Sequence, residues 1–235
     1  MKNDLKIIDF HSHILPCVDH GSDGITTSVK QVTLMNNAGV NTVVLTPHFY
    51  PNLNRVSDFT SEINAAAEEL ISKCDMRPRF CIGAEVLYCD GIEEMEDLSK
   101  LCIRGTNVLM LELPVSYDWD RTMIYAIRRL ASTYTVILAH IDRYVGVHDN
   151  ALEVLLSDDN IVGQINASAL FHKKTRRSLL PYINAGYVFA VGSDIHGNDK
   201  KNYRRFKNAA KILGTENYAE IMLRSAALLK NASLL

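Results

Sequence analysis

Residues Asp9 to Gly21, DFHSHILPCVDHG, hold three histidines and two aspartates in thirteen positions. Imidazole and carboxylate together form the donor set of zinc, manganese or iron, whereas an all-oxygen set would suit magnesium or calcium. In an extended chain successive side chains alternate between faces, so His11 and His13 point the same way and can reach one ion. Further donors recur at intervals along the chain: His48, Glu85, Glu112, His140, Asp194 and His196, with His20 in the first stretch. Taken singly, each has a plain structural use. A histidine ending a strand usually just satisfies a hydrogen bond, Glu112 would serve equally as a helix cap or an arginine partner, and Glu85 as a loop acid. Nine donors are more than one ion can hold, since zinc takes ~4, so the set points to two or three ions.

The elements that must position these groups are legible as short β-branched runs, each followed by a helical pattern. The runs are LKIIDF (5–10), NTVVLTP (41–47), PRFCIGAE (78–85), NVLMLEL (107–113), YTVILAH (134–140), NIVGQIN (160–166) and YVFAVGSD (187–194). Helical patterns cover roughly 26–38, 57–73, 120–132, 146–156, 175–185 and, as two helices, 202–229, with Ser57 placed to cap the second. Alternating strands and helices predict an α/β fold with a parallel sheet. Seven such units without a Gly/Ser/Pro-rich linker predict one domain over residues 1–235, a closed or nearly closed barrel, with a doubly wound sheet as the alternative. In a parallel barrel the strand ends share one rim, where the active sites of such folds sit. Every run ends in polar donors. Run one brings His11 and His13, then Asp19 and His20. The later runs bring His48, Glu85, Glu112, then His140 with Asp142 and Arg143, then Asn166 and Ser168, and last Asp194 and His196. Only His148 and His172, of eight histidines, lie elsewhere.

In this order, DFHSH, TPH, GAE, LEL, AHIDRY, QIN and GSDIHG resemble the PHP (polymerase and histidinol phosphatase) superfamily. The chain is most similar to its capsule-type (CpsB/CapC-like) branch, the manganese-dependent bacterial protein-tyrosine phosphatases, from Ile7 to about Leu229. The resemblance implies a distorted (β/α)7 barrel of PHP type with three metals. It implies that His11, His13, Glu85 and Asp194 hold the first ion, and that Glu85 bridges to a second completed by Glu112 and His140. His20, His48 and His196 would hold the third. Manganese is the metal it implies first, iron or zinc next, and Arg143 matches a phosphate-contacting arginine. The chain departs from the branch twice: His20 replaces an aspartate, and Lys201 replaces an arginine. Lysine meets a phosphate as a point charge, not as a bidentate fork; Arg204 and Arg205 lie nearby.

The chemistry so implied is phosphomonoester hydrolysis, with Arg143 and Lys201 neutralising phosphate charge and Asp194 or His196 placed to protonate the leaving oxygen. The expected substrate is phosphotyrosine on a protein, a bacterial tyrosine kinase controlling capsule or exopolysaccharide export. Tyr50, Tyr88, Tyr117 and Phe171 follow strands and would wall in a phenyl ring. A cysteine mechanism needs Cys-x5-Arg, and the residues six after Cys17, Cys74, Cys81, Cys89 and Cys102 are Asp23, Phe80, Leu87, Met95 and Val108. Three alternatives are a PHP phosphatase for a small metabolite such as histidinol phosphate, an amidohydrolase, and a non-catalytic module on the same barrel. The glutamates ending runs three and four, where an amidohydrolase bridges its metals with a carboxylated lysine, weigh against the second; the intact ligand set weighs against the third. A net charge of −2 gives no bulk attraction to nucleic acid or anionic membrane. No apolar run approaches the ~18 residues of a membrane span, so no membrane insertion is expected. The odd cysteine count without CxxC, and the absence of a signal-peptide pattern in MKNDLKIIDF, lead to the expectation of a cytoplasmic protein.

Overall fold

The computed structural model describes residues 5–74 and 78–235. All seven expected runs are strands, and two are interrupted. The strands are β1 (Ile8–Ser12), β2 (Thr42–Leu45), β3 (His48–Phe49), β4 (Arg79–Ile82), β5 (Glu85–Leu87), β6 (Val108–Glu112), β7 (Thr135–Leu138), β8 (Ile161–Asn166) and β9 (Val188–Gly192). The second run holds β2 and stops at Thr46 and Pro47, with β3 resuming just past its expected end, and the third breaks into β4 and β5 at Gly83 and Ala84. One sheet has the order β1-β2-β4 and the other β3-β5-β6-β7-β8-β9, with every pairing parallel. The two breaks carry the ends of runs two and three out of the first sheet and into the second. There His48 lies in register with Glu85.

The ring returns on itself where β9 reaches β1. The Asp194 N–H donates to His11 O at 2.8 Å, and Ser12 bridges Ile195 in parallel. This seam is a bridge rather than a ladder, which makes the seven-run ring a distorted (β/α)7 barrel. Gly192 allows it: a Cβ there would stand 2.4 Å from His11 Cβ and 2.7 Å from Gln164 Nε2. Beneath the seam lies α7 (Thr215–Leu228), whose Ser225 hydroxyl donates to Phe189 O at 2.8 Å.

The strands are buried on both faces, as parallel strands covered by helices must be; all residues of β1, β2 and β8 are buried. The covering helices are α1 (Ile25–Ala38), α2 (Val56–Ser72), α3 (Arg121–Ala131), α4 (Asp149–Leu156), α5 (Lys173–Asn184), α6 (Lys200–Leu213) and α7. In α2 the buried Phe59, Ile63, Ala66, Ala67 and Leu70 follow helical spacing. Ser57 does not cap it. The helix begins at Val56 from an extended Arg55, and the Ser57 hydroxyl, already inside the first turn, turns to Asp58. True side-chain caps occur at α3, where Asp120 accepts from Met123 N–H, and at α6, where Asp199 accepts from Lys201 and Asn202 N–H. Among the described residues no helix is long and apolar enough to cross a membrane.

Candidate metal centre

The C-terminal strand ends converge on one cluster. His11 ends inside β1 and His13 just beyond it; both are fully buried, with their Nε2 atoms 3.0 Å apart. The Glu85 carboxylate, buried at the head of β5, sits at the centre. Its Oε2 is 3.2 Å from His11 Nε2, 3.4 Å from His13 Nε2 and 2.9 Å from His48 Nδ1, while its Oε1 is 2.9 Å from His140 Nε2. Glu112 approaches His140 Nε2 at 3.4 Å. From the seam Asp194 brings Oδ1 to 3.4 Å from His13 Nε2 and 3.8 Å from His11 Nε2. The His196 ring lies 4.3 Å from that of His13 and 4.5 Å from that of His20, which stands 4.8 Å from His48 on the exposed side. All nine expected ligands are therefore neighbours.

Donor atoms mutually within 4.8 Å form three groups: His11, His13 and Glu85; His48, Glu85 and Glu112; His13, His48 and His196. His13, His48 and Glu85 each belong to two of them, so the cluster is one continuous bed. Two of the expected ligands reach it through backbone that ordinary side chains avoid. His140 has φ 32° and Asp194 φ 49°, left-handed conformations at non-glycine residues, which concentrate at functional sites.

The electrostatics fit divalent cations. Burial alone opposes every charge here, yet the charge of His11 and the close imidazoles of His11, His13 and His140 hold Glu85 well below the usual carboxylate range. Burial opposes protonation of His13, but Asp19, Asp194 and Glu85 outweigh it and raise its pKa; Glu112 and Glu85 likewise lift His140 to about 9. The acids thus draw positive charge into the bed. His196 is pressed the other way, to about 4, by burial and then by the charge of His13. His48 Nδ1, Glu85 Oε2 and His196 Nε2 are buried without a hydrogen-bond partner, even though the first two lie 2.9 Å apart. Buried polar atoms held close without hydrogen-bond geometry are what a bound cation would satisfy. The donor set, nitrogen and carboxylate oxygen, suits manganese, iron or zinc.

Arg143 stands over the bed, its guanidinium 2.7 Å from Asp194 Oδ2 and 3.4 Å from Glu112 Oε1. Lys201 lies exposed on the first turn of α6, and none of the described ion pairs joins it to the cluster. Of the four loop aromatics, Tyr50 stacks on His48 with centroids 5.4 Å apart, and Tyr117 is 69% exposed. Tyr88 and Phe171 are half-buried against the core. The buried thiols of Cys81 and Cys102 are pushed up by burial to about 11 and 12, the wrong direction for nucleophiles.

Sequence reasoning assigned no role to a layer of residues behind the ligands. Asp19 accepts from His13 Nδ1 at 2.7 Å, Gly21 N–H at 2.8 Å and His48 N–H at 3.1 Å. A Cβ at Gly21 would stand 2.1 Å from His13 Cβ, so only glycine lets this loop fold back. The Tyr144 hydroxyl accepts from Leu113 N–H at 2.8 Å and lies 3.5 Å from His140 Nδ1. Gln164, fully buried, touches His11 and His140. A glutamine inside the apolar run NIVGQIN was the available signal, because a buried amide must be hydrogen-bonded.

The model of the capsular polysaccharide synthesis family CpsB/CapC matches residues 7–233. The tyrosine-protein phosphatase YwqE of Bacillus subtilis (strain 168) is 24% identical over an aligned length of 246, covering 95% of this chain and 94% of that protein. The tyrosine-protein phosphatase CpsB of Streptococcus agalactiae serotype V is 22% identical, covering 96% and 99%. A crystal structure from work on YwqE of Bacillus subtilis and CpsB of Streptococcus pneumoniae, described as unique metal-dependent tyrosine phosphatases, superposes with TM-score 0.76 at 20% identity. It covers 97% of this chain and 96% of that one.

Proposed function

Because the chain belongs to the CpsB/CapC family of capsular polysaccharide synthesis, we propose that it is a metal-dependent phosphatase hydrolysing phosphotyrosine on a protein. The observation that carries this reading is the bed of nine donors with unpartnered buried atoms beneath an arginine. Its relatives YwqE and CpsB are named tyrosine-protein phosphatases, which supports the substrate class. The family's description supports a capsule setting; a bacterial tyrosine kinase as the substrate protein, in capsule or exopolysaccharide export, and the cytoplasm as its place complete the proposal.

His11, His13, Glu85 and Asp194 would hold one ion, Glu85, Glu112 and His140 a second, and His20, His48 and His196 a third, with manganese the first candidate. Bound divalent ions supply a water of lowered pKa and positive charge for the phosphoryl oxygens. The protein's own part is orientation and charge. Arg143, 43% exposed at its side chain, is free to exchange its carboxylate partners for a phosphate and to meet it with a bidentate fork. Lys201 adds a point charge from α6 once its flexible stem swings toward the rim. Tyr50, stacked on His48, and the exposed Tyr117 are placed to flank a phenyl ring. Asp194 is held ionised, against its burial, by His11 and His13, and His196 is held neutral. At pH 7 Asp194 is thus a carboxylate and His196 a neutral imidazole, so in this geometry neither is a strong proton donor. Tyrosinate, from a phenol of pKa ~10, leaves without a strong acid, so this suits a phosphotyrosine more than a phosphoserine.

The test is kcat/KM with added Mn²⁺ on matched phosphotyrosine and phosphoserine peptides and on histidinol phosphate. A tyrosine preference of ~100-fold, ~2.7 kcal/mol of differential transition-state binding, is expected. Faster turnover of histidinol phosphate than of any phosphotyrosine substrate would replace this reading with a small-metabolite phosphatase.

A further inference from the structure

We propose that Gln164 and Asn166 are positioning residues that set the proton arrangement of the metal bed from a single backbone N–H. They are alternate residues of β8, so both point to the same face of the barrel. His140 anchors the arrangement. Its backbone N–H can only donate, and the atom of Gln164 that it meets at 2.6 Å must therefore be the amide oxygen. The same oxygen lies 3.1 Å from His11 Nδ1, so that nitrogen must carry the hydrogen. In the neutral ring this leaves His11 Nε2 with a lone pair, and Nε2 is the atom facing Glu85 and His13.

The other end of the Gln164 amide is then the NH2 group. It donates to Asn166 at 3.1 Å, which must present its oxygen. Asn166 in turn directs its own NH2 to Asp194 Oδ2 at 2.8 Å. That bond, with the Arg143 contact on the same oxygen, leaves Asp194 Oδ1 as the atom facing the histidines. One donor thus fixes two amide orientations, one imidazole tautomer and one carboxylate. It also ties down His140 at its left-handed backbone. Gln164 is fully buried and Asn166 is 5% exposed, so water does not compete for these bonds. Residues behind a metal site that orient its ligands typically change metal affinity 10–100-fold when removed.

The inference rests on reading the cluster as a metal centre. The test is therefore Mn²⁺ binding by the full chain, read from the electron paramagnetic resonance of free Mn²⁺, on wild type, Gln164→Met, Gln164→Glu and Asn166→Ala. A companion measurement follows the Nδ1-bound proton of His11 by NMR in the zinc-loaded protein. Gln164→Met should lower Mn²⁺ affinity at least ~10-fold and shift the His11 proton signal, because its acceptor is gone. Gln164→Glu keeps an oxygen there and should keep the signal. Asn166→Ala should weaken Mn²⁺ binding through Asp194 while leaving the His11 signal in place. Wild type that binds no divalent ion would remove the metal-centre reading itself. Wild type that binds Mn²⁺ beside a Gln164→Met variant within twofold of it, or with an unmoved His11 signal, would overturn the positioning role alone. Should Gln164→Met fail to fold, a lost His11 signal in Gln164→Glu or wild-type affinity in Asn166→Ala would overturn it equally.

Discussion

Asp19 is the residue behind the bed whose removal should cost most. Its side chain is 4% exposed and serves donors on both sides: Oδ2 takes His13 Nδ1 and His48 N–H, and Oδ1 takes Gly21 N–H. Asp19→Ala strips a buried histidine of its charged partner, a change worth ~3–5 kcal/mol. Counting instead the two stranded backbone donors at ~1–3 kcal/mol each gives ~2–6 kcal/mol, which brackets that figure. For a chain of this length ~4 kcal/mol corresponds to a fall in Tm of roughly 8–16 °C. Asp19→Asn should fall between: an amide has one acceptor oxygen, so if it serves His13 and His48 its NH2 opposes the Gly21 N–H, at ~1–3 kcal/mol. The sign with pH follows from the Asp19 carboxyl. Burial opposes its charge, but the His13 bond and charge outweigh this and hold its pKa below the usual range. Its stabilisation is therefore complete above the unfolded pKa of ~4 and is lost as pH falls below it, so wild type and Asp19→Ala should converge in acid. The assay is thermal unfolding of chelator-treated protein across pH, paired with Mn²⁺ titration, where affinity should drop ~10–100-fold. An Asp19→Ala variant melting within ~2 °C of wild type, with unchanged Mn²⁺ affinity, would refute the reasoning.

Replacing all five cysteines with serine should leave the metal-dependent activity in place; a folded, metal-binding but inactive variant would contradict this. His20→Ala should lower metal occupancy or rate at least ~10-fold while His20→Asp retains activity, measured by metal content and phosphotyrosine turnover; its ring lies 4.5 Å from that of His196 and 4.8 Å from that of His48. Metal affinity should rise with pH up to about 9, because the proton that Glu112 and Glu85 hold on His140 against its burial must leave first. Calorimetry in buffers of different ionisation enthalpy should detect proton release at pH 8, and binding without release there would show that His140 is not displaced from its proton.

The strand set and the rim were legible in the sequence because each depends on residue type at short range. Runs such as TVIL and VLMLE announce buried parallel strands, and the donors that follow them must share a rim whatever the details of the barrel. The breaks at Thr46–Pro47 and Gly83–Ala84 were not legible as breaks. They depend on how the ends of two strands leave one sheet for another, which is a tertiary choice. Ser57 looked like a cap because serine favours that role, but Arg55 was already extended and Val56 helical. The partition of the nine donors among ions came from the resemblance and not from their spacing, and in the folded bed His13, His48 and Glu85 each fall in two groupings. Asp19, Tyr144 and Gln164 were hidden for another reason. Their partners lie at backbone N–H groups and ring nitrogens brought close only by folding, so the sequence marked Asp19 only as a rim donor and Gln164 only as an amide in an apolar run, without the orienting role of either.

The most direct test of the account is hydrolysis of a phosphotyrosine peptide by the purified protein after exhaustive chelation, with and without added Mn²⁺. Chelation should abolish turnover, and Mn²⁺ should restore it in proportion to the metal bound. Full activity in the metal-free protein, or no phosphotyrosine hydrolysis with the bed loaded by any of Mn²⁺, Fe²⁺ or Zn²⁺, would contradict it.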